Sequence, residues 1–285
     1  MLTKTKAAIV TTLFLSLGAQ ADTILNVATA GDQNMVDYVK TWLGPKFEAA
    51  HPGVKVRVIG TGPGDAGSNK ISEKLTAQQE SGAQRWDIDV AVVHQKAGGE
   101  QVAKGLLQKY RQDIQTGGMV SSPSATQALG VNVDGYVMPM FLSQTAIAWN
   151  SDLVTTPPAS YDELVAWTQK HPQAFGYNGI KNGMSGVSFV VGWIYAYGTD
   201  VQRLSAGPYD KSVEKGWQQA YEKLKAFNKN VTFTPGNAGT LDMLSRGEIA
   251  MGPVWVDMFY SWKDQGKLPP SIKLALLAPG MRGQP

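Results

Sequence analysis

The sequence predicts an α/β protein built in two lobes, and three observations carry that reading. Short β-rich runs alternate with helix-period runs from residue 23 onward, the pattern of a sheet covered by helices. The stretch Gly135 to Leu153, GYVMPMFLSQTAIAWNSDL, holds two apolar runs, Tyr136–Leu142 and Ala146–Trp149, split by the polar Ser143, Gln144 and Thr145. It reads as an extended, mostly buried pair of strands crossing from one lobe to the other. Directly after it, Asn150 to Pro158 has turn chemistry, and Ser160 with Glu163 forms an S-x-x-E capping box that opens a helix through Trp167. A strand pair followed at once by a capped helix suits a chain leaving one unit and starting another.

Composition narrows the class. The chain has 285 residues, 43% apolar and 17% charged, with material for the core of one or two domains. A net charge of +3, with no Lys/Arg run interleaved with aromatics, argues against nucleic acid as a partner. The absence of cysteine removes disulfides, thiolate metal sites, thiol nucleophiles and lipidated cysteine together. At the N-terminus, Lys4 and Lys6 precede an apolar run from Ala7 to Leu17, and Ala19-Gln20-Ala21 is an A-x-A cleavage site. Residues 1–21 are therefore expected to be a secretory signal peptide cleaved after Ala21, releasing a soluble protein that begins at Asp22. The apolar run is shorter than the roughly 20 residues a membrane-spanning helix requires.

In order, Thr23 to Ala30 reads as a strand, and Met35, Val36, Val39, Trp42, Leu43 and Phe47 repeat at helical spacing until His51-Pro52-Gly53. Val54 to Ile59 is a second strand, followed by a Gly-rich loop and a helix over Ile71 to Gln79. Ile88 to Val93 is a third strand and Val102 to Tyr110 a further helix. This strand–helix repetition predicts a parallel sheet. The polar segment Arg111 to Asn132 has no clear period. Beyond the crossover, helices are predicted over Val213–Phe227 and around Leu241 and Leu244, ending at Gly247. Ile249–Val256 is a strand, Asp257–Gln265 a helix and Ile272–Leu277 a last strand.

Gly62, Gly64 and Gly67 spell G-x-G-x-x-G between a strand and a helix, the context of a dinucleotide fingerprint, which keeps an exported NAD(P)-dependent oxidoreductase as the alternative. The match has faults: the acids Asp87 and Asp89 stand at the start of the next strand, where a ribose-binding acid belongs at its end, and His94 holds that end. The same amides suit an anion or polar ligand, or a plain tight turn. Gly183-Met184-Ser185-Gly186 resembles a nucleophile elbow but lacks the final glycine, Val187 standing there. His51 and His171 sit at helix ends, no H-E-x-x-H or paired-imidazole spacing occurs, and no metal or cofactor site is expected.

Position points to a ligand more than any motif does. In open α/β sheets ligands lie beyond the carboxyl ends of the strands. Those ends carry Gly31, Asp32, Gln33 and Asn34, then Thr61 to Gly67, then His94 and Gln95.

The order of the signal peptide, ILNVATAGDQNMVDYV, F-x-x-x-HPGVKV, GSNKISEKL, WDIDVAVV and the crossover resembles the family 1 extracellular solute-binding proteins of ABC importers. The later PPASYDELVAW, LSRGEIAMGPVWV and LALLAPG are similar to that family too, so the resemblance covers essentially the whole mature chain. It implies a two-lobed periplasmic-binding-protein fold (type II-like) without catalytic activity, which closes on a solute and presents it to an ABC transporter permease. The lobes would be residues 22–140 and 151–271, with 141–150 as hinge crossover and 272–285 as a strand returning toward the first lobe. Family members usually run on with further helices past the Pro-Gly turn, so an early stop at Pro285, with exposed apolar surface and reduced stability, is the expectation from the pattern.

On this mapping the first wall comprises Asp32, Gln33, Asn34, Gly62, Gly64, Gly67, Ser68, His94 and Gln95. Gln144 and Thr145 sit in the hinge, and the second wall adds Ser185, Gly186, Trp193, Tyr195, Asn237 to Thr240, Trp255 and Asp257. Aromatics beside Asp32 and Asp257 suit a small polar organic solute, either sugar-like or an organic cation. A phosphorylated compound ranks below these because Asp65 lies in the Gly-rich stretch with no Arg flanking it, and bare ferric iron ranks low because His94 is the one open imidazole. A periplasmic monomer is expected.

Overall fold

The computed structural model describes residues 22–140, 142–198, 201–205 and 210–283; the signal-peptide segment lies outside them. Two sheets organise the chain. The first is three-stranded in the order β2-β1-β3, formed by β1 (Thr23–Ala30), β2 (Val54–Gly62) and β3 (Val90–Val92). All its pairings are parallel, with Val27 of β1 opposite both Val58 and Val90. β1 is central, paired on both edges, and its last five residues are buried.

The helical period after β1 is realised in three pieces: α1 (Gln33–Tyr38), a π-helical turn over Val39–Leu43, and α2 (Gly44–Ala50). The next helix, α3 (Gly64–Glu80), begins seven residues before the apolar repeat that announces it, so most of the supposed Gly-rich loop is its first turn. Pro63 is its N-cap, in an extended conformation, and Asp65 lies in the first turn, where a carboxylate suits the helix dipole. Gly67 is required by close packing: a Cβ there would stand 1.8 Å from the Gly62 carbonyl oxygen. The helix α4 (Gln95–Ala103) likewise precedes its expected span. Gly105, left-handed at φ 68°, terminates it, and Leu106 and Leu107 continue into irregular chain while still packing on the first core. The unassigned region holds 3₁₀ turns and a small antiparallel ladder, β4 (Gln127–Ala128) with β5 (Val131–Asn132).

Only half of the expected crossover pair is a strand. Tyr136–Leu142 has no strand among its described residues, and Leu142 is 77% exposed, whereas β6 (Thr145–Asn150) lies inside a five-stranded sheet ordered β10-β6-β9-β7-β8. Its partners are β9 (Met251–Trp255) and β10 (Ile272–Ala275), both antiparallel to it; β7 (Phe175–Tyr177) runs parallel to β9 and to β8 (Val231–Phe233). Ile272–Ala275, expected to return toward the first unit, is thus an edge of the second sheet. β6 is covered on both faces, since its neighbours Ile147 and Ala148 enter different cores.

One core is aromatic. It packs α5 (Tyr161–Lys170), α6 (Met184–Tyr197) and α8 (Trp217–Phe227) against the sheet. The capping box forms at Ser160, whose hydroxyl accepts from the Glu163 amide at 3.2 Å, while Glu163 accepts from Ala159 N–H at 2.9 Å. Sequence periodicity misses α6 because it is apolar nearly all round, as a helix buried on most sides must be. The opposite core packs α9 (Asn237–Ser245) and α10 (Val256–Asp264) on the other face. The short α7 (Val201–Ser205) precedes α8. No helix among the described residues is long and apolar enough to cross a membrane.

Trp193, placed in the ligand wall by sequence, belongs to the aromatic core: it is fully buried, stands edge-on to Tyr161, and donates from Nε1 to the Ala220 carbonyl at 2.8 Å. Trp193→Ala should therefore lower unfolding free energy by about 3–5 kcal/mol in urea titration. A loss under about 1 kcal/mol would place this indole outside the core.

Candidate functional site

The carboxyl ends of β1 and β3 face the second sheet, and side chains from both units meet there. Asp32 is the N-cap of α1, yet its carboxylate makes no cap hydrogen bond; it accepts from Asn237 Nδ2 at 2.9 Å, across 205 residues of sequence. Asn34 Nδ2 donates to Asp257 Oδ2 at 3.3 Å. The acid and the amide are thus exchanged between the units, each supplying one of both.

The orientation of Asn237 is built by its own unit. Its Oδ1 accepts from Asn178 Nδ2 at 2.8 Å, from Ser185 Oγ at 2.8 Å and from the Ser185 amide at 3.3 Å. With the oxygen held inward by three donors, the NH₂ group must face Asp32. Ser185, fully buried in this network, acts as a donor to an amide and lies beside no imidazole base, so the partial elbow is a packing element. Asp257 sits in the first turn of α10, where the helix dipole favours its charge, and also accepts from Ser143 Oγ in the crossover.

The electrostatics are uneven. Asp32 is held above the ordinary carboxylate range mainly by burial, opposed by the Asn237 hydrogen bond and reinforced by the Asp257 charge. Burial pushes the His94 imidazole below its usual value, against the pull of Asp65 and Asp32. His94 is the N-cap of α4 without a side-chain cap bond, and its Nδ1 is buried with no partner, as is Oδ1 of Asn34.

These groups line a cavity of about 1200 Å³. At one end stand Asp32, Asn34, Gly64, His94 and Gln95 facing Asn237, Trp255 and Asp257; the other end runs along the unpaired edge of β3, where Val90 is 44% exposed. The remaining predicted residues lie outside its lining. Gln33 is exposed and donates to Asp37 one turn on. Gly62 and Gly67 pack the helix onto its strand, and Ser68 is fully buried. Thr145 Oγ1 bonds Ser188 at 2.6 Å, Gln144 offers its backbone carbonyl to Val256 N–H, and Tyr195 on α6 is absent from the lining. The wall also contains Met35, Tyr38, Met184 and Met258, which sequence reasoning missed. Their signal was available only in part: Met35 follows the strand-end tetrad directly, and Met258 adjoins Asp257.

Nothing in this geometry favours a dinucleotide. Gly67 of G-x-G-x-x-G is used in packing on the Gly62 carbonyl, Asp87 pairs with Lys74 at 2.6 Å, and Asp89 accepts from the Asn26 amide at 2.7 Å, both at the far end of the strand. Among the described residues no group of His, Cys, Asp and Glu is arranged to hold a metal ion.

Residues 42–285 match a family profile described as bacterial extracellular solute-binding protein. No curated protein sequence matches the chain. Among solved structures, a putative extracellular solute-binding protein from Bordetella parapertussis is similar with 17% identity and a TM-score of 0.65, over 92% of this chain and 73% of that one. Maltose-bound MalE3 of Thermotoga maritima gives 15%, 0.68, 92% and 70% in the same order, and the Atu4243–GABA receptor 21%, 0.61, 89% and 68%.

A carboxyl with a higher pKa in the folded than in the unfolded chain holds more protons when folded. It therefore takes stability away as pH rises from about 3.9, the ordinary Asp value, through its raised value. Asp32→Asn removes this titration while its amide oxygen still accepts from Asn237. Relative to the parent, the variant should gain unfolding free energy as pH rises above about 4 in urea titrations of the unliganded protein. A constant offset, or a relative loss on going to neutral pH, would reverse the assignment.

Proposed function

This chain belongs to the bacterial extracellular solute-binding protein family, and from that we propose that its two sheet units are lobes, the first within residues 22–140 and the second running from β6 through β10, that close on a small polar organic solute for delivery to an ABC transporter permease. The observation that carries the reading is the exchange of acid and amide across the cleft. Hydrogen bonds between side chains more than 200 residues apart, at the carboxyl ends of strands, are what a closing site requires. The chain entering β6 serves as the hinge in this proposal, with Ser143 tied to Asp257 on the second lobe, while β6 itself belongs to the second sheet. Periplasmic or extracellular placement accords with the family. Cleavage after Ala21, giving a monomeric periplasmic protein, is the finer proposal.

Relatives of this fold carry chemically different solutes, maltose and GABA among them by name, so the solute must be argued from this chain's own wall. Tyr38 and Trp255 offer aromatic faces, Met35, Met184 and Met258 offer adaptable apolar ones, and Asp32 with Asp257 offers acceptors. Such a wall suits a sugar-like or a cationic organic solute. Binding, not turnover, is the family's role.

Intact mass of the exported protein should correspond to a chain starting at Asp22, and retention of Met1 would contradict this. In a pooled-solute screen, a true ligand should raise the melting temperature by mass action and compact the molecule in small-angle scattering, without being consumed. Conversion to product would move the protein to the enzymes. Trp255→Ala should weaken that ligand by about 1–3 kcal/mol in calorimetry; an unchanged affinity would remove the indole from the wall.

A further inference from the structure

Where the two units meet, the cleft carries two carboxylates and, among its lining residues, no cationic side chain beside them. Asp32 and Asp257 face it with carboxylates, Asn34 Oδ1 and His94 Nδ1 are buried there without a partner, and the N–H donors now on the two acids are the neutral side-chain amides of Asn237 and Asn34. Rotating the Asn34 amide would satisfy nothing, because it would turn its oxygen onto the Asp257 carboxylate.

The cationic side chain in the cavity lining is Arg85. It precedes the start of β3, whereas Asp32 and His94 follow the other ends of β1 and β3, which run parallel. Arg85 therefore lies toward the opposite end of the first sheet. Around His94 the neighbouring charges are Asp65 and Asp32, again acidic. An anionic solute would meet two carboxylates with no counter-charge beside them. A bare metal ion lacks a cluster of ligating side chains among the described residues.

We propose that the solute is an organic cation carrying an N–H-donating group, an ammonium, amidinium or guanidinium, that bridges Asp32 of one lobe and Asp257 of the other. The inference rests on the solute-binding reading above and specifies its substrate class. A cationic donor adds to the hydrogen bond a Coulomb attraction that a neutral amide on the same carboxylate lacks, so such a group displaces the Asn237 and Asn34 amides from the acids. The freed amides and the unpartnered Asn34 Oδ1 then serve the ligand's polar edge. Tyr38, Trp255 and the methionines enclose its organic stem, and an aromatic face beside a cation adds attraction.

The test is calorimetry on the mature protein with agmatine, 1,4-diaminobutane, maltose and glycerol 3-phosphate, accompanied by small-angle scattering. Saturable binding with compaction is expected for agmatine or 1,4-diaminobutane, together with loss of about tenfold or more in affinity for Asp257→Asn and for Asp32→Asn. Asp257→Glu, which keeps the charge, should recover part of the loss. Thermal unfolding of each variant checks that the fold persists. Binding with compaction for maltose or glycerol 3-phosphate and not for the amines would overturn the cation class while leaving solute binding intact. Amine affinity indifferent to both Asp→Asn changes would overturn the bridge. Failure of every probe to bind or compact the protein would count against the solute-binding reading itself.

Discussion

The hydrogen bond from Asn237 to Asp32 is the contact on which the site depends, because it demands that two independently built units present complementary groups at one point. On one side, Asp32 is placed by the central strand β1, whose buried end carries the acid to the edge of the sheet. On the other, Asn237 points outward only because Asn178 and Ser185 occupy its oxygen. Ser185 in turn is set by α6, and α6 by the aromatic packing of Phe189 and Trp193 against Tyr161 and Phe227. A core contact tens of residues away is in this sense part of the binding wall.

The clasp is deliberately weak in physical terms. An amide N–H on a carboxylate leaves the charge uncompensated, and burial of Asp32 beside Asp257 raises the cost of ionising it. A site arranged in this way favours any ligand that brings what is missing, and on the proposed reading such a ligand would shift the two units toward closure by its differential affinity for the closed arrangement. The π-helical turn at Val39–Leu43, directly after the wall residue Tyr38, is the kind of helix irregularity that occurs at functional positions. It also turns Tyr38 and Trp42 into a stacked pair at 5.2 Å.

Much of this arrangement could be read in the residues, and the failures have physical reasons. The first strand was legible to the residue because Thr23–Ala30 is β-rich and ends at Gly31-Asp32. The rule that ligands gather at strand ends picks out Asp32, Asn34, His94 and Gln95, which the structure does bring to one cavity. Helix starts were less legible. Two glycines, Gly64 and Gly67, conceal the first turn of α3, where packing of Gly67 on the Gly62 carbonyl outweighs poor helix propensity, and Leu106 and Leu107 mimic the helical repeat beyond α4. Trp193 and Ser185 looked functional because indole and hydroxyl are ambiguous in sequence; Trp193 is buried in the aromatic core away from the cavity, whereas Trp255, also buried, lies on the lining. Hydrogen bonds such as Ser143 to Asp257, separated by 114 positions, have no sequence signal at all.

Motion of the two units about the clasp is the central claim, and pulsed electron–electron distance measurement tests it most directly. The chain has no cysteine, so spin labels at Glu73→Cys on α3 and Glu222→Cys on α8, both exposed positions, report the separation without background. Without ligand, breaking the clasp by Asn237→Ala should move the distance distribution to longer values, and a bound solute should shorten and narrow the distribution of the parent. A single distribution unchanged by the substitution and by solute would contradict the account, leaving Asp32 and Asn237 as fixed structural partners.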